Sequence, residues 1–171
     1  MSSRYYYTGV GSRHTPPNIR QAMGTIARDF NKSGWWLRSG GAVGADSAFE
    51  SCAGRRAEIY LPWKGFRGHP SPLYHTLTGA LDIAREIHLN WKACSLPVRK
   101  LHARNIHQVL GHDLNSPSEC VVCWTPNGKA VGGTRTAIVC AEMHDILVFN
   151  LALGPWYSMN EFILSVENRS K

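Results

Sequence analysis

Three short apolar segments of this chain are each followed by a glycine-containing turn and then by a helical pattern. The turns cover residues 9–13, 39–46 and 125–134. Parallel strands need a crossover connection, usually a helix, so strands that alternate with helices indicate a parallel sheet. The sequence therefore predicts a Rossmann-like α/β fold, a doubly wound and mostly parallel sheet with helices on both faces.

The size and composition indicate one folded domain. The chain has 171 residues, of which 43% are hydrophobic and 18% are charged. These values are typical of a globular protein that buries a continuous core, and they exclude the disordered and membrane-embedded classes. No linker, low-complexity tract or internal repeat interrupts the sequence. We therefore predict a single Rossmann-like domain over residues 1–171.

Hydrophobic periodicity predicts the order of the individual elements. Strands are predicted at residues 5–8, 35–37, 58–62, 119–124 and 146–150. Helices are predicted at residues 18–30, 47–53, 73–88, 97–110, 136–143 and 159–166. The segment 90–96 gives no clear pattern. The segment 63–72, rich in Gly, Pro and Trp, is long enough to predict a lid or a ligand wall.

The charge favours an anionic partner. The formal net charge is +7 and the pI is about 9.4, but Lys and Arg are scattered and form no polybasic run. A positive pocket explains this better than a nucleic-acid tail or a membrane-binding patch. The chain starts without an apolar leader, and no window is long and apolar enough for a bilayer span. We expect a cytoplasmic protein with no membrane partner.

The cysteines and histidines do not predict a metal site. Five cysteines, an odd number, indicate free thiols in a reducing compartment. Cys120 and Cys123 lie three apart on a predicted strand, where they point to opposite faces, so core thiols are expected. The eight histidines are dispersed. We expect no metal and no cofactor.

The three glycine turns predict an anion-binding pocket. In open parallel sheets, ligands bind outside the carboxyl ends of the strands. Glycine lets the backbone approach a ligand closely, and N–H groups at the start of the next helix can hold a phosphate. None of the turns ends in Gly-Lys-Ser or Gly-Lys-Thr, and the first lacks the third glycine of the dinucleotide fingerprint. ATP hydrolysis of the P-loop type is therefore disfavoured.

Four motifs in order carry a family resemblance. They are GVGSR after the first strand, LRSGGAVGADSAFE after the second, RN on the helix before the fourth, and GGT beyond it. Over residues 5–151 the chain resembles the DprA/Smf branch of the SLOG superfamily, which also includes the LOG-type nucleotide phosphoribohydrolases. The resemblance implies one pocket lined by Gly11, Ser12, Arg13, Ser39, Gly40, Gly41, Gly44, Asp46, Arg104, Asn105, Gly133 and Thr134. The turns add Gly9, Ala42, Thr125 and Gly132 to the predicted ligand-binding set.

Three functions remain open on this basis. The first is binding of a nucleotide or nucleotide-derived ligand, such as a nucleoside phosphate, an ADP-ribose-like molecule or a cyclic signal. The second is LOG-like hydrolysis of the N-glycosidic bond of nucleoside monophosphates, with Asp46, Glu50 or Glu142 as the catalytic carboxylate. Thr136 stands where LOG enzymes carry an acid, which favours binding over turnover. The third is DprA-like binding of single-stranded DNA.

Two arginines and two tryptophans are further candidates for ligand contact. Arg13 and Arg104 could grip a phosphate as bidentate donors, although either could serve the structure alone. Trp63 and Trp91 fall in irregular segments, where a ring could stack on a base or simply pack. Because relatives of this fold commonly dimerise, we also expect a homodimer or a higher homo-oligomer.

Overall fold

A computed structural model of the chain describes residues 4–154 and 157–169. Five strands form one sheet, in the order β3-β2-β1-β4-β5, and every pairing is parallel. The strands are β1 (Tyr6–Gly11), β2 (Trp36–Ser39), β3 (Ala57–Ile59), β4 (Cys120–Trp124) and β5 (Leu147–Asn150). The prediction of a doubly wound α/β sheet is confirmed, and the described sheet is entirely parallel.

Six α-helices cover the two faces of the sheet. They are α1 (Pro17–Lys32), α2 (Ala45–Glu50), α3 (Thr78–Ile87), α4 (Leu96–Leu110), α5 (Thr134–Met143) and α6 (Tyr157–Arg169). Side chains of α1, α2 and α6 share one hydrophobic cluster with the sheet, and those of α3, α4 and α5 share the other. None of the helices within these described ranges is long and apolar enough to cross a bilayer.

The two cores differ in the size of their side chains. On the α1 side, Tyr7 stacks on Phe30 with ring centroids 4.1 Å apart, and Trp35 packs 5.0 Å from Phe30. On the α4 side, the buried hydrophobic residues of α4 and α5 are alanine, cysteine and branched aliphatic side chains, which pack against Val121 and Cys123 of β4. β4 contributes buried side chains to both clusters, as a central strand of a parallel sheet must.

The predicted thiol placement follows from this alternation. Cys120 belongs to one cluster and Cys123 to the other, so the two thiols lie on opposite faces of the sheet. Burial raises the pKa of both thiols above the ordinary range, which keeps them protonated. All five cysteines of the chain are free.

Several boundaries differ from the predicted ones. β1 continues through Gly11 instead of ending at residue 8, because Gly9 and Gly11 keep their pairing with β4. α3 begins at Thr78 rather than at residue 73. The residues before it are extended, and the Leu77 amide donates to His107 Nε2 at 3.2 Å. The unassigned segment 90–96 contains a short 3-10 helix, Trp91–Ala93.

The glycine turns all follow the carboxyl ends of parallel strands, and we call this end of the sheet the carboxyl edge. From β1 the chain moves outward to β2 and β3, then returns to add β4 and β5 on the other side of β1. The direction of winding therefore reverses between β1 and β4, which end side by side with Gly11 opposite Trp124. A reversal of this kind opens a crevice at the carboxyl ends of the strands, where ligands bind in such sheets.

Candidate functional site

The first glycine loop (residues 9–13) and the second (residues 39–46) are in direct contact. Gly44 has a φ of +86°, and a Cβ atom there would lie 2.7 Å from Arg13 Cα and 2.8 Å from the Ser12 carbonyl oxygen. A Cβ atom at Gly11 would lie 2.7 Å from Ala45 Cβ. At Gly44 only glycine combines this dihedral with this close approach, and at Gly11 the space excludes a side chain. Both glycines are therefore required for the contact between the loops.

Two neighbouring residues of α4 join the second loop to the third (residues 125–134). Arg104 donates from Nη1 to the Gly40 carbonyl at 2.8 Å, and from Nε and Nη2 to Asn105 Oδ1 at 3.3 and 3.1 Å. Asn105 in turn donates from Nδ2 to the Gly133 carbonyl at 2.8 Å. Both side chains are buried. The Arg-Asn pair predicted from the sequence thus bridges two of the three glycine loops.

Asp46 is a buried carboxyl group beside these contacts. Its side chain is 3% exposed, and its Oδ2 accepts a hydrogen bond from the Ala42 amide at 3.4 Å. Burial raises the pKa of Asp46 to about 6, although Arg104 and the backbone amides of Ala42 and Gly40 partly oppose the shift. Asp46 does not cap α2, because Gly44 is the N-cap and Asp46 lies in the first turn. A carboxyl group with this pKa can exchange a proton near neutral pH.

Gln108 is a member of this cluster that the sequence analysis missed. Its side chain is fully buried, and neither Nε2 nor Oε1 has a hydrogen-bond partner among the described residues. A Cβ atom at Gly40 would clash with Gln108 Nε2 and would lie 2.8 Å from both Arg104 Cζ and Asp46 Oδ2. An amide, a guanidinium group and a carboxyl group therefore converge on Gly40. The spacing of four residues from Arg104, which places both on one helix face, was the available signal.

The segment 63–72, which we call the aromatic loop, packs against this cluster. His69 Nδ1 accepts a hydrogen bond from the Ser71 amide at 3.1 Å, so Nε2 carries the proton and donates to Glu50 Oε1 at 2.6 Å. The Phe66 ring lies 5.8 Å from Arg104 Cζ, and Trp63 stands edge-on to Phe66 with centroids 5.2 Å apart. The loop lies beside the cluster, and its role as a lid or a ligand wall stays a prediction.

Exposed cations surround the same edge. Arg13 lies on the first loop, Lys64 and Arg67 on the aromatic loop, and Lys129 on the third loop. All four side chains are exposed, and none forms a hydrogen bond or an ion pair within residues 4–154 and 157–169. Trp63, whose side chain is 37% exposed, lies next to Lys64. The edge therefore offers positive charge and an aromatic ring to the solvent.

The other predicted residues divide between packing and open surface. Gly9 lies inside β1, where a Cβ atom would meet Phe49 at 2.7 Å, so packing explains this glycine. Ser39 Oγ donates to the Gly9 carbonyl at 2.7 Å. Gly132 and Gly133 have no atom within 4 Å of an added Cβ, and they leave the start of α5 open.

Thr125, Thr134 and the three carboxylates are also placed by the structure. Thr125 is buried, and its hydroxyl accepts a hydrogen bond from Asn150 Nδ2 at 2.6 Å. Thr134 is buried at the first position of α5. Of the catalytic candidates, only Asp46 lies in the buried cluster. Glu142 is exposed near the end of α5, eight residues and roughly 12 Å beyond Thr134, at the opposite edge of the sheet.

Across residues 4–154 and 157–169, no group of three or more His, Cys, Asp or Glu side chains is arranged to hold a metal ion. Trp91, the second candidate for base stacking, packs against the α4-side core, with Arg99 Cζ 5.4 Å above its ring. Packing therefore accounts for Trp91.

A solved structure of DNA processing protein A from Helicobacter pylori is similar to this chain. The two share 15% sequence identity with a TM-score of 0.62, over 96% of this chain and 81% of the other. The chain has a DprA-like fold. The Helicobacter pylori protein is described as having a unique single-stranded DNA binding mode. No protein-family model and no curated protein matches the sequence, so membership of the SLOG superfamily stays a prediction.

Proposed function

We propose that this protein binds single-stranded DNA at the carboxyl edge of its sheet. The observation that carries the proposal is the exposed Trp63 ring among cations that have no carboxylate partner in the described part of the chain, beside the glycine loops. Proteins that bind single strands combine a positive groove for the backbone with aromatic rings on which bases stack. Single-stranded DNA binding by the similar Helicobacter pylori protein supports the same function.

Each part of the edge has a role in this proposal. Arg13 and the open backbone around Gly132 and Gly133 contact phosphates, with help from the dipole at the start of α5. Trp63 receives a base, and Phe66 supports it edge-on. The hydrogen bond from His69 to Glu50 anchors the aromatic loop to α2, so the stacking ring stays in position.

Fluorescence anisotropy with labelled oligothymidine at low salt tests the proposal. Affinity should fall with increasing salt, with a log–log slope of roughly −0.7 for each phosphate neutralised. Trp63→Ala should weaken binding by about 1–3 kcal/mol, whereas Trp63→Phe keeps a ring for stacking and should lose less.

Arg85 provides the matched control for Arg13. Arg85 is an exposed arginine of α3, on the face of the sheet opposite α1 and α2, and it pairs with Asp82 at 2.9 Å. Arg13→Ala should weaken binding, and Arg85→Ala should leave it nearly unchanged. Absence of binding at low salt, or equal effects of the two arginine variants, would rule out DNA binding at this edge.

A nucleotide or nucleotide-derived small ligand is the second candidate, favoured by the buried cluster at Gly40. The Gln108 amide, unpartnered among the described residues, offers donors and acceptors together with the Asp46 carboxyl group and Arg104, and such groups recognise a base or a ribose. Calorimetry against nucleoside phosphates, ADP-ribose and cyclic nucleotides tests it. Gln108→Leu should weaken binding of a small ligand and leave binding of oligothymidine unchanged. If none of the compounds gives a heat of binding, this candidate is excluded.

Hydrolysis of an N-glycosidic bond is a narrower form of the second candidate. Asp46 would take a proton from water while the water oxygen bonds to the sugar C1 atom. The C1–N bond breaks, and the base leaves with that proton. Glu50 is held by His69, which leaves Asp46 as the carboxyl group of the cluster free to act. Chromatography should then detect free base from nucleoside monophosphates with the wild type and not with Asp46→Asn. If neither protein releases free base, the reaction is excluded.

Self-association is proposed on the basis of exposed apolar side chains. Leu89, Leu147 and Leu164 are 85%, 55% and 59% exposed. A contact between copies that covered such side chains would remove their apolar surface from water. Light scattering that returns a 19.0 kDa particle at high concentration would contradict a homo-oligomer. The cytoplasmic location stays a prediction.

A further inference from the structure

We propose that the groove between α1 and α2 binds the phosphodiester backbone of the DNA strand where it leaves the carboxyl edge. This inference rests on the proposed function and extends its site to a second surface. The groove has a volume of about 370 Å³ and is lined by Arg20, Gly24 and Arg28 of α1 and by Ser47, Ser51 and Cys52 of α2 and the turn after it.

The charge of the groove is entirely positive. Arg20 and Arg28 lie two turns apart on α1, and no Asp or Glu side chain of the described residues lines the groove. The acid of α1 next to Arg28 is Asp29, which pairs with Lys32 at 3.5 Å and faces a different cavity, between α1 and α6. The positive potential on the α2 side is therefore not neutralised locally.

The hydrogen bonds of Arg28 leave its charge available. Nη1 donates to Cys52 Sγ at 3.2 Å and Nη2 to Thr25 Oγ1 at 3.3 Å. A thiol and a hydroxyl group are neutral acceptors, and a phosphate oxygen would bind an arginine more strongly than either. The groove is narrow at Gly24, because a Cβ atom there would lie 3.1 Å from Cys52 Sγ.

The groove is continuous with the proposed DNA site. Gly44 lines its upper end and packs against the backbone of Arg13, the cation of the first glycine loop. Below the groove, Arg56 donates to the Asn31 carbonyl at 3.1 Å at the end of α1, and the neighbouring Arg55 is exposed. A strand held at Arg13 can therefore follow a line of arginines along the helices without meeting an acidic side chain among the described residues that line the groove.

Cys52 reports directly on occupation of the groove. It is half-buried and free, and Cys94, which is also half-buried and free, lies in the α3–α4 connection on the other face of the sheet. The test measures alkylation of both thiols by N-ethylmaleimide, a neutral reagent that the arginines do not attract. Mass spectrometry of the peptides follows each site with and without oligothymidine.

A long strand should protect Cys52 selectively. Oligothymidine of about 16 nucleotides, near the upper end of single-strand site sizes, should reach the groove, whereas one of about 4 should occupy the carboxyl edge alone. At about ten times the Kd of the long strand, alkylation of Cys52 should slow roughly tenfold, because only unbound protein reacts. Cys94 should react at an unchanged rate with either strand.

A charge-matched pair of variants provides a second measurement. The salt dependence of long-strand binding is measured as the slope of log affinity against log salt concentration. Arg20→Ala combined with Arg28→Ala should reduce the magnitude of this slope by about 1.4, since each lost phosphate contact accounts for roughly 0.7. Arg85→Ala combined with Lys92→Ala removes the same charge from the other face and should leave the slope unchanged.

The outcomes separate this inference from the proposed function. If the long strand binds and Trp63→Ala weakens it, but Cys52 stays unprotected and the slope does not change, the groove is wrong and the proposed function stands. If inorganic phosphate protects Cys52 as fully as the strand does, the groove is a simple anion site and the inference fails. If no oligothymidine binds, both fail.

Discussion

Two buried arginines, Arg38 on β2 and Arg104 on α4, have very different polar surroundings. Arg38 of β2 is 2% exposed, donates from Nε to Glu58 Oε2 at 2.9 Å and from Nη1 to the Ser116 carbonyl, and lies 3.8 Å from the Tyr6 ring centroid. Tyr60 also donates to the Glu58 carboxylate, at 2.9 Å. The guanidinium charge of Arg38 is thus directly paired.

Arg104 is similarly buried but is not paired in this way. Its acceptors are a backbone carbonyl and an amide oxygen, and within the described residues it forms no ion pair with the buried Asp46 next to it. The side-chain amide of Gln108 beside it has no hydrogen-bond partner among those residues. A fully satisfied polar network specifies the fold, whereas a partly satisfied one leaves contacts that water or a ligand can complete.

Truncating the two arginines should separate these roles most strongly. Arg38→Met leaves Glu58 without its cation and should lower the free energy of unfolding by about 3–5 kcal/mol. Arg104→Met removes hydrogen bonds to neutral groups, and Asp46 can respond by taking up a proton, so about 1–3 kcal/mol is expected. Chemical denaturation measures both values. An equal or larger loss at Arg104 would contradict the comparison.

The carboxyl group beside Arg104 should make stability depend on pH. The pKa of Asp46 is about 6 in the folded protein, compared with 3.8 for an aspartate in the unfolded chain. Folding therefore favours the protonated form. The protonated carboxyl group contributes its full stabilisation below about pH 4. As the pH rises from about 4 to about 6, the free energy of unfolding should fall by on the order of 3 kcal/mol. The difference in unfolding free energy between wild type and Asp46→Asn should follow this curve, and a difference that stays constant from about pH 4 to 7 would refute it.

Two glycines near Arg104 provide a steric test. A methyl group at Gly40 would enter the space between Arg104, Asp46 and Gln108, so Gly40→Ala should cost about 1–3 kcal/mol of stability. Gly133 has open space around it, and Gly133→Ala should stay within about 0.5 kcal/mol. Thermal unfolding compares the two variants. If both melt like the wild type, the cluster is looser than the contacts at Gly40 indicate.

The smallest effect should come from the unpartnered amide. Gln108→Leu removes two buried polar atoms that have no partner within the described residues, so stability should stay unchanged or rise by about 1 kcal/mol. Asn105→Leu is the opposite case, because the Asn105 amide group contacts both Arg104 and Gly133 and its loss should destabilise the protein. Denaturation curves that show both variants equally destabilised would mean that Gln108 is already satisfied.

The sequence was sufficient for the strand and helix order, because hydrophobic periodicity and glycine position carry that information locally. It also pointed to Asp46, Arg104 and Asn105 through the family resemblance. It did not reveal Gln108, since a glutamine within a helix is usually exposed, and its burial depends on the approach of α4 to the second loop. The hydrogen bond between Glu50 and His69 joins residues nineteen positions apart, and no local pattern encodes it.

The contact of Gly44 with the backbone of Arg13 has a consequence for how this protein can diversify. The two loops belong to different strand–helix units, yet a side chain at position 44 would displace position 13. A change in the length or composition of the first loop is therefore tolerated only if the second loop can still pack against it. A combinatorial library that randomises the loops separately should yield few folded members, whereas one that varies the first loop and keeps glycine at position 44 should retain the fold and redirect the arginine.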